Sequence, residues 1–113
     1  VLQDGFFFVN RSAYHANMAA DVPEHTAWAM AASQKAVTAA TAYENVTAPA
    51  WRDTRSWYAV STEDKMIDPA AQRFMAGRAG AETVDIRGSH YTPASRAKEV
   101  AALIVKAAKA VVG

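Results

Sequence analysis

Apolar positions change their spacing partway along this chain. Up to about Pro49 they come in short, loosely helical groups. From Trp51 onward, short continuous apolar runs alternate with helical stripes. Asp4-Gly5 is a turn signal, and the run Phe6-Phe7-Phe8-Val9 behind it predicts a short strand. Asn10 or Ser12 is placed to cap a helix carrying Ala13, Tyr14, Met18 and Ala19. Asp21-Val22-Pro23 reads as a helix stop and a new start. The next helix carries Ala27, Trp28, Ala31 and Ala32 at roughly helical spacing. Residues 35–50 are small and rich in Thr and Ala, which predicts a loop with a weak turn of helix.

The remainder is patterned more sharply. Ser56 to Ser61 holds Trp57, Tyr58 and Val60 and is apolar on both faces, as a covered parallel strand is. Asp68 is a helix cap with Pro69 at the first helical position. Ile67, Ala71, Phe74, Met75 and Ala79 then fall on one predicted face, and Gly80 supplies the stop. Thr83 to Ile86 predicts a second strand, closed by Arg87-Gly88. Ser95 is read as the cap of a final helix with Val100, Leu103, Ile104, Ala107 and Val111 on its apolar side. Strand–helix–strand–helix order implies an α/β unit built on a parallel pair. The expected organisation is therefore a helical segment over residues 1–50 and a strand–helix–strand–helix part over residues 51–113.

Composition narrows the function classes. At 113 residues the chain is about one small domain. A net charge of +1 offers no basic field for nucleic acid. There is no cysteine, which removes disulfides, thiolate metal sites and a thiol nucleophile. No His/Asp/Glu spacing suggests a metal site, and no cofactor is implied. No apolar run approaches the roughly 18 residues of a membrane helix. These features fit a cytoplasmic location, with secretion left open because the chain opens on Val1 and a leader ahead of it is conceivable.

Chemistry has a geometric home in such a unit, because ligands of parallel α/β sheets sit at the carboxyl ends of the strands. Asp64 lies just past the end of the first strand. His90, within "RGSHYTP", lies just past the end of the second. Parallel neighbours bring these ends together, so acid and imidazole are expected to meet at about 2.6–3.2 Å. A carboxylate on an imidazole fixes its tautomer and stabilises imidazolium, which a general base requires.

The stretch "SWYAVSTEDKMIDPAAQRFMAGRAGAETVDIRGSHYTPASRAKEVAALI" resembles the C-terminal portion of an alpha/beta-hydrolase fold protein. It is similar to the bacterial esterase branch related to plant esterases and hydroxynitrile lyases. The resemblance is carried by Asp64 after the first strand, Asp68-Pro69 with Gln72-Arg73-Phe74-Met75, and the turn Gly88-Ser89-His90; residues 6–50 resemble the family's helical cap more weakly. It implies a Ser-His-Asp triad acting on a small ester or similar carbonyl substrate, with Asp64 and His90 as acid and base. The family's nucleophile elbow G-x-S-x-G has no counterpart here, because none of Ser12, Ser33, Ser56, Ser61, Ser89 and Ser95 sits in that frame. An HGGG-type oxyanion segment is absent too. The expectation is thus a fragment carrying cap, acid and base, inactive alone, which pairs with the missing N-terminal half or self-associates.

The plainer readings stand beside these. A non-catalytic interaction module is the alternative class, and a flavodoxin-type domain would need more than two strands. Met66 and Ile67 either line a substrate pocket or simply pack. Trp28 is either core or pocket. Tyr91 faces either pocket or solvent; the resembled lyases carry a lysine directly after the histidine, so Tyr91 points toward ester hydrolysis. Glu63 reads as a solvated neighbour, and His15 and His25 as surface or interface residues.

Overall fold

A computed structural model describes residues 1–112. The first half is built around a small antiparallel sheet and two helices. Strands β1 (Leu2–Gln3), β2 (Phe6–Phe7) and β3 (Val37–Thr38) pair in that order. The β1–β2 turn is Asp4-Gly5, both at positive φ (49° and 80°), the combination a two-residue hairpin needs. Helices α1 (Arg11–Met18) and α2 (Glu24–Ser33) follow β2. Asn10, not Ser12, caps α1: its Oδ1 accepts from the Ser12 N–H at 3.0 Å and the Ser12 hydroxyl at 2.8 Å.

Tyr14, Ala19, Val22, Ala27 and Ala31 form a buried cluster between these helices, flanked by Val9, Met18 and Met30. Trp28 does not join it. It is 54 % exposed, because the small side chains of Ala27 and Ala31 turn the contact face of α2 away from it. Residues 35–50 hold more structure than the expected loop, namely β3 and a short helix α3 (Ala40–Tyr43). The strand read as Phe6–Val9 is shorter, since Val9 leaves the sheet to exchange two hydrogen bonds with the Gln34 side chain, each 2.9 Å.

The second half runs β4 (Trp57–Ser61), α4 (Pro69–Arg78), β5 (Glu82–Ile86), α5 (Thr92–Ser95) and α6 (Ala97–Val112). β4 and β5 pair in parallel, with Trp57 opposite Glu82 and Ser61 opposite Ile86. Asp68 caps α4 through the Ala70 N–H at 2.7 Å, with Pro69 in the first turn. At its other end Gly80 takes φ +61°. The Ala81 N–H returns to the Ala76 carbonyl at 2.9 Å and the Gly80 N–H to Gly77 at 3.0 Å, so two end carbonyls are satisfied in a Schellman motif.

Two details of this half depart from the sequence reading. The buried face of α4 is Gln72 and Ala76, one turn apart; Phe74 is 70 % exposed, and Ala71 and Met75 are exposed as well. Polar contacts set this rotation, because the Gln72 amide reaches back to β4 and to the loop after it. Ser95 does not cap the long helix. It ends α5, its hydroxyl bonding the Tyr91 carbonyl at 3.3 Å, and α6 starts after a break at Arg96. α6 buries none of its residues.

Candidate active site

Backbone pairing does not stop where β4 and β5 end. The Thr62 N–H donates to the Ile86 carbonyl and the Glu63 N–H to the Gly88 carbonyl, both at 3.0 Å. The loop bearing the acid is thereby laced to the turn bearing the histidine. Below this lacing, the hydroxyls of Ser61 and Thr92 meet at 3.0 Å in a buried position.

On that frame His90 Nδ1 lies 2.8 Å from Asp64 Oδ2. The carboxylate is fully engaged. Oδ1 accepts from the N–H groups of Met66 (2.7 Å) and Ile67 (3.0 Å), an Asx-type turn. Oδ2 also accepts from Gln72 Nε2 at 3.0 Å. Gln72 is itself buried at 3 % exposure. Its amide donates to the Ile67 carbonyl at 2.8 Å and accepts from the Ser61 N–H at 3.0 Å. The sequence marked Gln72 only as part of the helix segment Gln72-Arg73-Phe74-Met75, with no role attached to it. Its position one turn before Ala76 and one turn after the Asp68 cap is the trace it leaves.

Asp64 is almost wholly buried. Burial alone pushes its carboxyl up, but the Ile67 N–H, His90 and the Met66 N–H hold it below the ordinary value. An ionised carboxylate can only accept, so Nδ1 of His90 carries the proton toward it. Nε2 of His90 has no hydrogen-bond partner among the described residues, and the ring is partly exposed.

The lowered carboxyl has a consequence for stability. A group whose folded pKa lies below its unfolded one contributes stability that is complete above the unfolded value, about 3.9 for aspartate, and lost as pH falls through the folded value. Urea denaturation at descending pH is expected to show stability falling below about pH 4. The fall should be shallower in Asp64→Asn. An equal fall in both proteins would mean that Asp64 does not contribute.

Beside the pair lies a cleft of about 650 Å³. Phe7, Phe8, Tyr14, Met18 and Met30 line it from the first half, and Met66 and Tyr91 from the loops that carry Asp64 and His90. Burial, followed by the charge of nearby Tyr91, raises the pKa of Tyr14. Ile67 is partly exposed and lies outside this lining. Trp28 lies on a separate small hollow with Arg11, His15 and Glu24. Glu63 is exposed and pairs with Arg87 at 2.7 Å. His15 Nε2 meets the Val22 carbonyl at 2.9 Å. Among the described residues no three His, Asp or Glu side chains cluster as metal ligands, and no helix is long and apolar enough to cross a membrane.

The model of the alpha/beta hydrolase family matches residues 2–103. The match covers most of the chain, and the chain belongs to the alpha/beta hydrolase family. Comparison with curated proteins and with solved structures gave no match.

Proposed function

We propose, from membership of the alpha/beta hydrolase family, that this chain is the acid–base half of a serine hydrolase acting on a small ester or similar carbonyl substrate. The observation that carries this reading is the 2.8 Å His90–Asp64 contact at adjacent strand ends, beside a cleft that the neighbouring Met66 and Tyr91 line. A serine from a G-x-S-x-G elbow outside this chain would be the nucleophile. His90 Nε2 takes the serine proton as Oγ attacks the carbonyl carbon, and the carbonyl π pair moves onto oxygen. When that oxyanion collapses, the bond to the leaving alkoxide breaks and the same proton passes from Nε2 to the alkoxide. Water repeats the cycle to release the acid. Asp64 remains ionised throughout, holding Nδ1–H and stabilising the imidazolium. Met66 and Tyr91, flanking the pair, would contact the substrate, with the cap residues of the cleft around its apolar part. Tyr91, placed directly after the histidine, favours ester hydrolysis over lyase chemistry. No cofactor enters this scheme.

Without a nucleophile the chain by itself should not turn over. Incubation with an activated ester is expected to give no burst and no rate above that of free imidazole, and serine-directed covalent inhibitors should leave its mass unchanged. Labelling of any serine would reveal a nucleophile within the chain. The reading itself is tested by expressing the reading frame extended upstream of Val1. The expected result is a G-x-S-x-G segment and ester turnover that His90→Ala removes. Turnover unaffected by His90→Ala, or an extended frame with no such serine and no turnover, would overturn it. A second reading, a non-catalytic module that pairs with another chain, is favoured by the open edge of β4.

A further inference from the structure

The turn between α1 and α2 lays Asp21 against the back of the histidine turn. Both carboxylate oxygens of Asp21 are buried, and neither has a hydrogen-bond partner among the described residues. A carboxylate in that position is costly unless donors stand close by. The neighbours come from the segment that carries His90. A Cβ on Gly88 would sit 2.8 Å from Asp21 Oδ2 and 2.8 Å from Thr92 Cγ2, so only glycine lets the turn approach this closely. Burial pushes the Asp21 carboxyl up, but the nearby polar groups of the histidine turn, the Ser89 hydroxyl first among them, outweigh it and hold the group below its ordinary value. Ser89 is 2 % exposed. Its oxygen accepts from the Tyr91 N–H at 3.2 Å, which leaves its hydroxyl proton to point elsewhere.

We infer that Asp21 is a positioning residue for His90: its carboxylate packs against the Gly88–Ser89 turn from the cap side and so helps keep the imidazole seated on Asp64. This rests on the hydrolase reading of that pair and adds to it a residue of the cap. Placement of the cap beside the cleft and orientation of the base are then linked through this approach. A cap that shifts away releases the turn, and the base loses its fixed orientation. Asp64 and Gln72 hold the acid side of the pair; Asp21 holds the histidine side.

Long-range proton–nitrogen NMR on the isotope-labelled full chain reads the ring state directly. The parent is expected to show His90 as a single Nδ1–H tautomer with a slowly exchanging Nδ1 proton. Asp21→Ala should mix the tautomers of His90 and speed that exchange several-fold. The His15 signal, which reports the cap through its contact with the Val22 carbonyl, should stay as in the parent. Gly88→Ala, whose Cβ would press on both an intact Asp21 and Thr92, should give the same His90 signature. A His90 ring unchanged in both variants would overturn the inference. So would loss of both the His90 and His15 signatures in Asp21→Ala with His90 unchanged in Gly88→Ala, because Asp21 would then serve only the folding of the cap. The measurement needs no nucleophile. An extended protein without ester turnover would sink the hydrolase reading and leave this result standing, and a null result here would leave the hydrolase reading standing.

Discussion

Asp64→Ala is expected to lower the stability of the chain by about 2–4 kcal/mol, a roughly 30- to 1000-fold change in the unfolding equilibrium. Four donors converge on this side chain, and two of them, the Met66 and Ile67 N–H groups, have no other acceptor among the described residues. Removing the carboxylate strands those part-buried donors, and it takes from the Gln72 amide one of the contacts that fix the rotation of α4. Asp64→Asn separates the two roles of the residue. Its Oδ1 can still accept from Met66 and Ile67, but an NH₂ now faces Gln72 Nε2 and His90 Nδ1, donor against donor. Its stability loss should be the smaller of the two. Its effect on chemistry should be nearly the larger possible, because the imidazole would prefer the wrong tautomer; in a protein supplying the serine, kcat should drop about 10⁴-fold. Chemical denaturation of both variants and ester kinetics of the extended protein check this. An alanine variant as stable as the parent would show that the hydrogen bonds around Asp64 are not what holds this loop.

The chain is expected to associate at micromolar concentration, and a single substitution in β4 should make it monomeric. The two strands of the parallel sheet differ in how they present their outer edges. β5 carries Glu82 and Asp85, which engage Arg55, Lys106 and Arg73 in exposed ion pairs, and charged edges discourage pairing. β4 reads Trp57, Tyr58, Ala59, Val60 and Ser61, with no charge and no proline, and its far edge has no strand beside it. Next to it, Trp57 and the Leu103, Ile104, Ala107 and Val111 side chains of α6 surround an apolar hollow of about 460 Å³. Trp57 Nε1 is buried without an acceptor among the described residues. Pairing along β4 would satisfy backbone groups and cover this hollow together; each 100 Å² of apolar surface removed from water contributes about 2.5 kcal/mol before association entropy is counted. Light scattering should report a species heavier than one chain. Ala59→Lys places a charge on the unprotected edge and should return it to the monomer. A parent chain that scatters as a cooperative monomer would show that this edge is not sticky.

Local signals carried most of the second half into view. Asp68-Pro69, Gly80 and the apolar strand before Asp64 each act through their own backbone or nearest neighbours, so their meaning does not depend on distant residues. The meeting of Asp64 and His90 was legible because parallel pairing dictates it once two strands and their order are recognised. Other features were not legible, for physical reasons. β1 and β3 hold two residues each, too few for an alternation to show. Trp28 read as either core or pocket and takes neither place, because the two helices close on Ala27 and Ala31, which allow the backbones to approach. α4 turned its polar Gln72 inward because a hydrogen-bonding demand at Asp64 outweighed the burial of Phe74, and no periodicity count includes that demand. Asp21 read only as punctuation between helices. What it touches is set by a turn almost seventy positions away.

The hydrogen bonds from Thr62 to Ile86 and from Glu63 to Gly88 belong to the main chain, and main-chain bonds are indifferent to side-chain identity. The spacing between acid and base is therefore insulated from most changes in the residues that surround them. Glu63, Lys65, Met66, Arg87 and Tyr91 can be exchanged during divergence without moving either functional group, provided the backbone keeps its course. On the proposed hydrolase reading, a lineage using this scaffold could change the side chains at Met66 and Tyr91 while keeping the His90–Asp64 contact in place. Tolerance to drift is thus a property of the ladder. The positions where drift should be least tolerated are the few whose side chains do the fastening: Gln72 beneath the acid, and Gly88 and Asp21 behind the base.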